Sequence, residues 1–138
     1  MKRLVLLSVG ALMLAATVFA PVAMAQEPIE LDITSVTLGT GGTAEISGTI
    51  QCTEGLQYYI YGSVRQTTGN RPFNTGYGQD PVFGYGTCTG ETQAFNMTVA
   101  GEKPFKKGTA LVEASAQVCD PFGGCSSILL PFEEVRLR

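Results

Sequence analysis

From Gln26 onward, apolar residues recur with a period of two and no stretch carries the 3.6-residue period of a helix, which limits the chain to an all-β architecture. The first expected strand covers residues 29–38 and ends at Gly39-Thr40-Gly41-Gly42, whose glycines suit a hairpin turn. In residues 43–52, Ala44, Ile46, Gly48, Ile50 and Cys52 share one face, and Thr43, Glu45, Ser47, Thr49 and Gln51 the other, so Cys52 points inward. The strongest strand is 56–66, with Leu56, Tyr58, Ile60, Gly62 and Val64 against Gln57, Tyr59, Tyr61, Ser63 and Arg65; both faces carry tyrosine. Further strands are expected over 83–89, 92–99, 109–118 and 126–137, with Pro131 marking an edge position or a bulge in the last. The inward residues of 109–118 are small, namely Ala110, Val112, Ala114, Ala116 and Val118. They suit a bulkier facing sheet, where the aromatic residues of strand 56–66 have a place. About seven short strands separated by close turn signals predict an immunoglobulin-like antiparallel β-sandwich, with a barrel as the alternative. Residues 67–85, with Asn70, Pro72, Asn74, Pro81 and four glycines, read as a long connection holding at most a short irregular strand near 73–77.

Ahead of this pattern, Lys2 and Arg3, the uncharged apolar stretch 4–20 and Ala23-Met24-Ala25 make residues 1–25 a signal-peptide helix, cleaved before Gln26. The first cysteine is Cys52, so lipidation at the cleavage site has no acceptor, and release outside the cell or into the periplasm is expected. Removing 25 of 138 residues leaves 113, residues 26–138, enough for one domain with a modest core. Of the 9 basic residues only Lys2 and Arg3 leave with the signal, so 7 stand against 12 acidic residues and the formal charge is −5. That sign argues against nucleic acid or an anionic membrane as partner.

Four cysteines in an exported chain of this size read as two disulfides, for which three connectivities exist. The preferred pairing is Cys52 with Cys88 and Cys119 with Cys125; the second pair encloses Asp120-Pro121-Phe122-Gly123-Gly124, a tight reversal able to bring the sulfurs together. Loop-closure entropy gives roughly 2.4 kcal/mol for the short loop and about 3.8 for the long one. Four thiolates on zinc would need close CxxC pairs, which are absent.

Composition also narrows the chemistry. With no histidine in the chain, neither a Ser-His-Asp nor a Cys-His arrangement nor a His-ligated metal is available. Two-carboxylate chemistry would have to draw on Glu54, Asp80, Glu91 and Asp120, each beside turn-forming Gly, Pro or Thr, where a carboxylate bonds the backbone or faces water. Neither Gly76-Tyr77-Gly78 nor Gly84-Tyr85-Gly86 leads into a helix or supplies a lysine, so no phosphate cradle is read there. No catalytic residue, metal or cofactor is expected.

Gly48-Thr49-Ile50-Gln51-Cys52, the next strand with Val64 and Gln66, Cys88-Thr89-Gly90, Phe105-Lys106-Lys107-Gly108-Thr109-Ala110 and Cys119 follow one another in an order that resembles a group of secreted actinobacterial-type domains of unknown function. The resemblance covers residues 43–137 and rests on structural cysteines and glycines. It implies a bacterial secreted protein, an immunoglobulin-like sandwich and the pairing of Cys52 with Cys88, and it implies no activity. The stretch 67–85 is longer here than in that group. A weaker likeness, to bacterial antibiotic-binding chromoproteins, rests on the sandwich and the short disulfide loop.

The best binding candidates lie in 67–85, where Arg71, Phe73, Asn74, Tyr77, Phe83 and Tyr85 stand among Gly, Thr and Gln, a composition used by recognition loops. The competing expectation is that Phe73, Phe83 and Tyr85 fold back over one end of the sandwich. Tyr59 and Tyr61 read first as cross-strand packing on a solvated face and second as part of the same surface. The expected function is thus a non-catalytic extracellular binding module for a glycan or protein, working through residues 67–85. The alternatives are a self-associating surface protein, pairing through edge strands such as 56–66 and 126–137, or an inhibitor presenting residues 120–124 to a secreted hydrolase.

Overall fold

The computed structural model describes residues 28–67 and 69–138. The predicted signal peptide, residues 1–25, lies outside them. The described residues form eight strands: β1 (Glu30–Leu38), β2 (Ala44–Gln51), β3 (Gln57–Gln66), β4 (Asn74–Asp80), β5 (Gly86–Thr87), β6 (Gln93–Gly101), β7 (Gly108–Cys119) and β8 (Cys125–Leu137). No α-helix occurs among them; a 3-10 turn, Thr40–Gly42, joins β1 to β2, with Gly41 and Gly42 at φ 73° and 78°, where a Cβ would be strained.

All pairings are antiparallel. β1, β2 and β6 make one sheet, and β4, β3, β7 and β8 the other, with β5 paired to the start of β3. The sheets join where β4 meets β6, through Gly76 opposite Gly101 and Tyr77 opposite Ala100. At the far end of the path β8 lies beside β1, and the Leu38 amide donates to the Arg138 carbonyl at 3.3 Å, so the immunoglobulin-like sandwich is nearly closed into a barrel.

The predicted alternation sets the core. Ile46 and Ile50 on β2, Phe95, Met97 and Val99 on β6, and Ile60 and Val64 on β3 are all buried, as are Ala110, Val112, Ala114, Ala116 and Val118 on β7. Across the core Gly62 of β3 makes room for the other sheet: a Cβ there would stand 2.6 Å from Met97 Sδ and 3.2 Å from Ile46 Cδ1. The small face of β7 does not look onto aromatic residues of strand 56–66, as its sequence suggested, because β3 and β7 are hydrogen-bonded neighbours in one sheet. Bulky residues of β2 and β6, Ile46, Ile50, Phe95 and Met97, share the buried core with it instead. For the same reason strand 56–66 is interior to the sheet, so it offers no free edge for pairing between chains.

Two further expectations are corrected. Within 67–85 lies a regular seven-residue strand, β4, and it sits at the centre of the strand order. Its Gly76 and Gly78 carry no side chain because β6 passes too close: Cβ atoms there would lie 2.6 Å from the Ala100 carbonyl oxygen and 2.7 Å from that of Thr98. The strand expected at 83–89 shrinks to Gly86–Thr87, since Gly84 at φ 71° bends the chain before it. Pro131 is both at an edge and in a bulge, for Val112 pairs with Glu133 and Ala114 with Leu130, leaving Pro131 and Phe132 opposite Glu113 alone.

Both disulfides pair as expected, Cys52 with Cys88 and Cys119 with Cys125. The first is part of the core, with both cysteines buried; the second closes the β7–β8 hairpin. Two disulfides fit an oxidising environment.

Candidate functional site: a tyrosine face on one sheet

The outward set of β3 is Tyr59, Tyr61, Ser63 and Arg65, of which Ser63 is itself buried, because the inward set Tyr58, Ile60, Gly62 and Val64 is committed to the core. Register decides their neighbours. Tyr61 lies opposite Gln79 on β4 and Ser115 on β7; Ser63 lies opposite Tyr77 and Glu113; Tyr59 lies opposite Gln117. The Tyr61 and Tyr77 rings, diagonal neighbours, stack with centroids 5.8 Å apart and planes at 25°. From the turn after β4, Tyr85 meets Tyr59 edge-on at 6.4 Å and 63°. Four tyrosines from two stretches of the sequence, 59–61 and 77–85, thus form one surface.

Hydrogen bonds fix that surface from the side. The Tyr59 hydroxyl donates to Gln79 Oε1 at 2.8 Å, and Gln79 Nε2 donates to the Val82 carbonyl at 2.7 Å, tying the turn that carries Tyr85 to the sheet. Ser63 Oγ donates to Glu113 Oε2 at 3.4 Å. Burial raises the Tyr61 phenol above its ordinary value, with Tyr77, Tyr59 and Glu113 adding to the effect, so Tyr61 presents a neutral hydroxyl. Along the same face the Arg65 guanidinium lies over the Phe132 ring, 4.4 Å from its centroid, where the β8 bulge places that ring. Tyr61 is 38% exposed, Tyr77 56% and Tyr85 63%, so the phenols are available to a ligand.

Arg71 and Phe73 do not join them. Both line a cleft of about 150 Å³ at the opposite end of β4, with Gln66, Asn74, Lys103 and Lys106. Phe73, Phe83 and Tyr85 do not fold back over the core either, being 57%, 90% and 63% exposed. Gln79, Ser63 and Glu113 were missed as contributors from sequence. Glu113, Ser115 and Gln117 alternate along β7 with its small inward residues, and only the pairing of β7 with β3 brings them beside the tyrosines.

Fold and surface together define an all-β, two-disulfide, immunoglobulin-like domain with an aromatic outer face. No protein-family model matches the chain, and neither does any curated protein. Among solved structures it is similar to the sporulation control protein Spo0M from Bacillus subtilis, with 15% identity and a TM-score of 0.36, over 80% of this chain and 48% of that one. The chain thus spans about half the length of that protein.

Proposed function

We propose that the chain is a secreted, non-catalytic binding module, of the two-disulfide immunoglobulin-like kind its sequence resembles, that recognises an extracellular glycan or protein through the face built by Tyr59, Tyr61, Tyr77 and Tyr85. The observation behind this reading is the joining of four tyrosines from β3, β4 and the following turn into one solvent-facing surface. Tyrosine offers a large contact area at low rotamer cost, and the Gln117 amide and Ser115 hydroxyl beside it supply hydrogen bonds to a sugar or a peptide backbone. Residues 67–85 contribute through β4 and its turn, while Tyr59 and Tyr61 form the other half of the face. Arg71 and Phe73 fall outside it.

The test is binding of the protein to glycan and cell-surface protein fractions, compared with a Tyr61→Ala/Tyr77→Ala variant and a Tyr85→Ala variant. Saturable binding that weakens at least tenfold in the double variant, with an unchanged thermal midpoint, is the expected result. Binding equal to the parent's in both variants would refute the assignment.

A second reading, inhibition of a secreted hydrolase, draws on the β7–β8 hairpin. There Phe122 is 98% exposed at a tip closed by the Cys119–Cys125 disulfide. Asp120 Oδ1 accepts from the amides of Phe122 and Gly124 at 2.7 and 3.0 Å, so the tip is rigid before any partner arrives.

A further inference from the structure

The chain's net negative charge conceals a polarised molecule. Of the basic residues in 28–138, all but Arg65 lie where β3, β6 and β8 end and β4 and β7 begin: Arg71, Lys103, Lys106, Lys107, Arg136 and Arg138. The segments at the opposite end, 52–57, 80–93 and 119–126, hold Glu54, Asp80, Glu91 and Asp120 and no lysine or arginine. Strands of this length separate the two ends by roughly 30 Å. Screening at physiological salt acts over about 8 Å, so a ligand at one end does not feel the charge of the other. The overall sign, which argued against polyanionic partners, is therefore the wrong quantity for this end.

Two adjoining clefts bring these cations together. Arg71, Lys103 and Lys106 line one, with Glu102 as its only carboxylate and Phe73 exposed in its wall; Lys107, Arg136 and Arg138 line the other, the two arginines also bordering a depression that holds Glu133. Among the described residues, no hydrogen bond or ion pair engages the charged groups of these six side chains. The turn bearing the three lysines is also held rigidly. Gln66, buried, grips Lys106 in both directions, Nε2 donating to its carbonyl at 2.7 Å and Oε1 accepting from its amide at 2.9 Å. Asn74 grips Lys103 in the same reciprocal way, at 2.7 and 3.0 Å. Between them Phe105 is buried, and its amide donates to the Gly42 carbonyl at 2.7 Å. Backbone ordering, a principal cost of binding through a loop, is thus already met.

We propose that this end is a second binding site, taking a linear acidic polysaccharide: its carboxylate or sulfate groups pair with the cations along both clefts while a sugar ring stacks on Phe73. The disulfides fit an oxidising environment, outside the reducing compartments that hold nucleic acids. The site is distinct from the tyrosine face and does not depend on it.

The experiment measures binding of the disulfide-bonded protein to a heparin octasaccharide, a polyuronate oligosaccharide and a duplex DNA of equal charge, each at low and physiological salt. The comparison proteins are Lys103→Glu/Lys106→Glu, the milder Lys103→Gln/Lys106→Gln, Lys107→Gln/Arg136→Gln and, at the opposite end, Glu91→Gln. Expected are saturable binding of at least one oligosaccharide that weakens with salt, a loss of tenfold or more in the charge-reversed variant, a smaller loss in each glutamine pair, and parental affinity in Glu91→Gln. Heparin bound without polyuronate would place the ligand among sulfated chains, and binding of both would place it among acidic chains generally. The proposal is overturned if neither oligosaccharide binds, if the lysine variants retain parental affinity while folded, or if DNA binds more tightly through the same residues.

Discussion

Glycines and one carboxylate show how much single positions matter. At Gly76 a Cβ would meet the Ala100 carbonyl oxygen at 2.6 Å and its carbon at 2.8 Å, backbone atoms fixed by the β6 ladder. At Gly62 the obstacles are side-chain ends, Met97 Sδ and Ile46 Cδ1, which can shift. Gly76→Ala is therefore expected to lose about 3 kcal/mol of stability and Gly62→Ala about 1, measured by urea unfolding. Equal losses would contradict the close approach of β4 to β6. Asp80 is opposite Ile60 and shares its inward face, and burial raises its carboxyl above the ordinary 3.8. A carboxyl whose folded pKa is raised favours the native state most when protonated, so its contribution is full below 3.8 and is lost as pH rises through the folded value. Asp80→Asn should match the parent in acid and become the more stable protein as pH climbs past the carboxylate range. A constant difference at all pH values would show that burial of the charge is not the cause.

At the scale of elements, the two disulfides do different work. Cys52–Cys88 spans 36 residues and is buried where β2 leaves the core, whereas Cys119–Cys125 spans 6 at an exposed hairpin tip. Replacing Cys119 and Cys125 by Ser should cost about 2 kcal/mol, and replacing Cys52 and Cys88 by Ala about 4, to which lost packing adds. Thermal unfolding of the two variants tests the order; a larger loss at the hairpin would invert it. β4 is the element least legible in advance. Gly76, Gly78 and the adjoining Tyr77 give no apolar alternation, since the residues that fill an inward face elsewhere are here replaced by hydrogen atoms to admit β6.

Over the whole molecule, closure depends on β8 reaching β1. Leu137, 1% exposed, is the residue by which the last strand enters the core, opposite Gly108. Leu137→Ala should cost about 3 kcal/mol and lower the unfolding midpoint in urea; a loss below about 1 would mean the seam contributes little. Charge is also a property at this scale, since six cations dispersed through the sequence gather at one end only because alternate strands run in opposite directions. The sequence by itself determined what local periodicity and loop closure can determine. It gave the all-β class, the inward faces of β2, β3, β6 and β7, an edge position or bulge at Pro131 and the Cys119–Cys125 pair, because a side chain's face follows from its position along a strand and a short loop brings its own ends together. Only the tertiary structure decided that β3 is interior, that β4 bridges the sheets, that Tyr59, Tyr61, Tyr77 and Tyr85 meet, and that Arg71 and Phe73 stand apart from them. Those are facts of strand order and register, set by which faces pack against which across the core, and no neighbouring residues in the chain encode them.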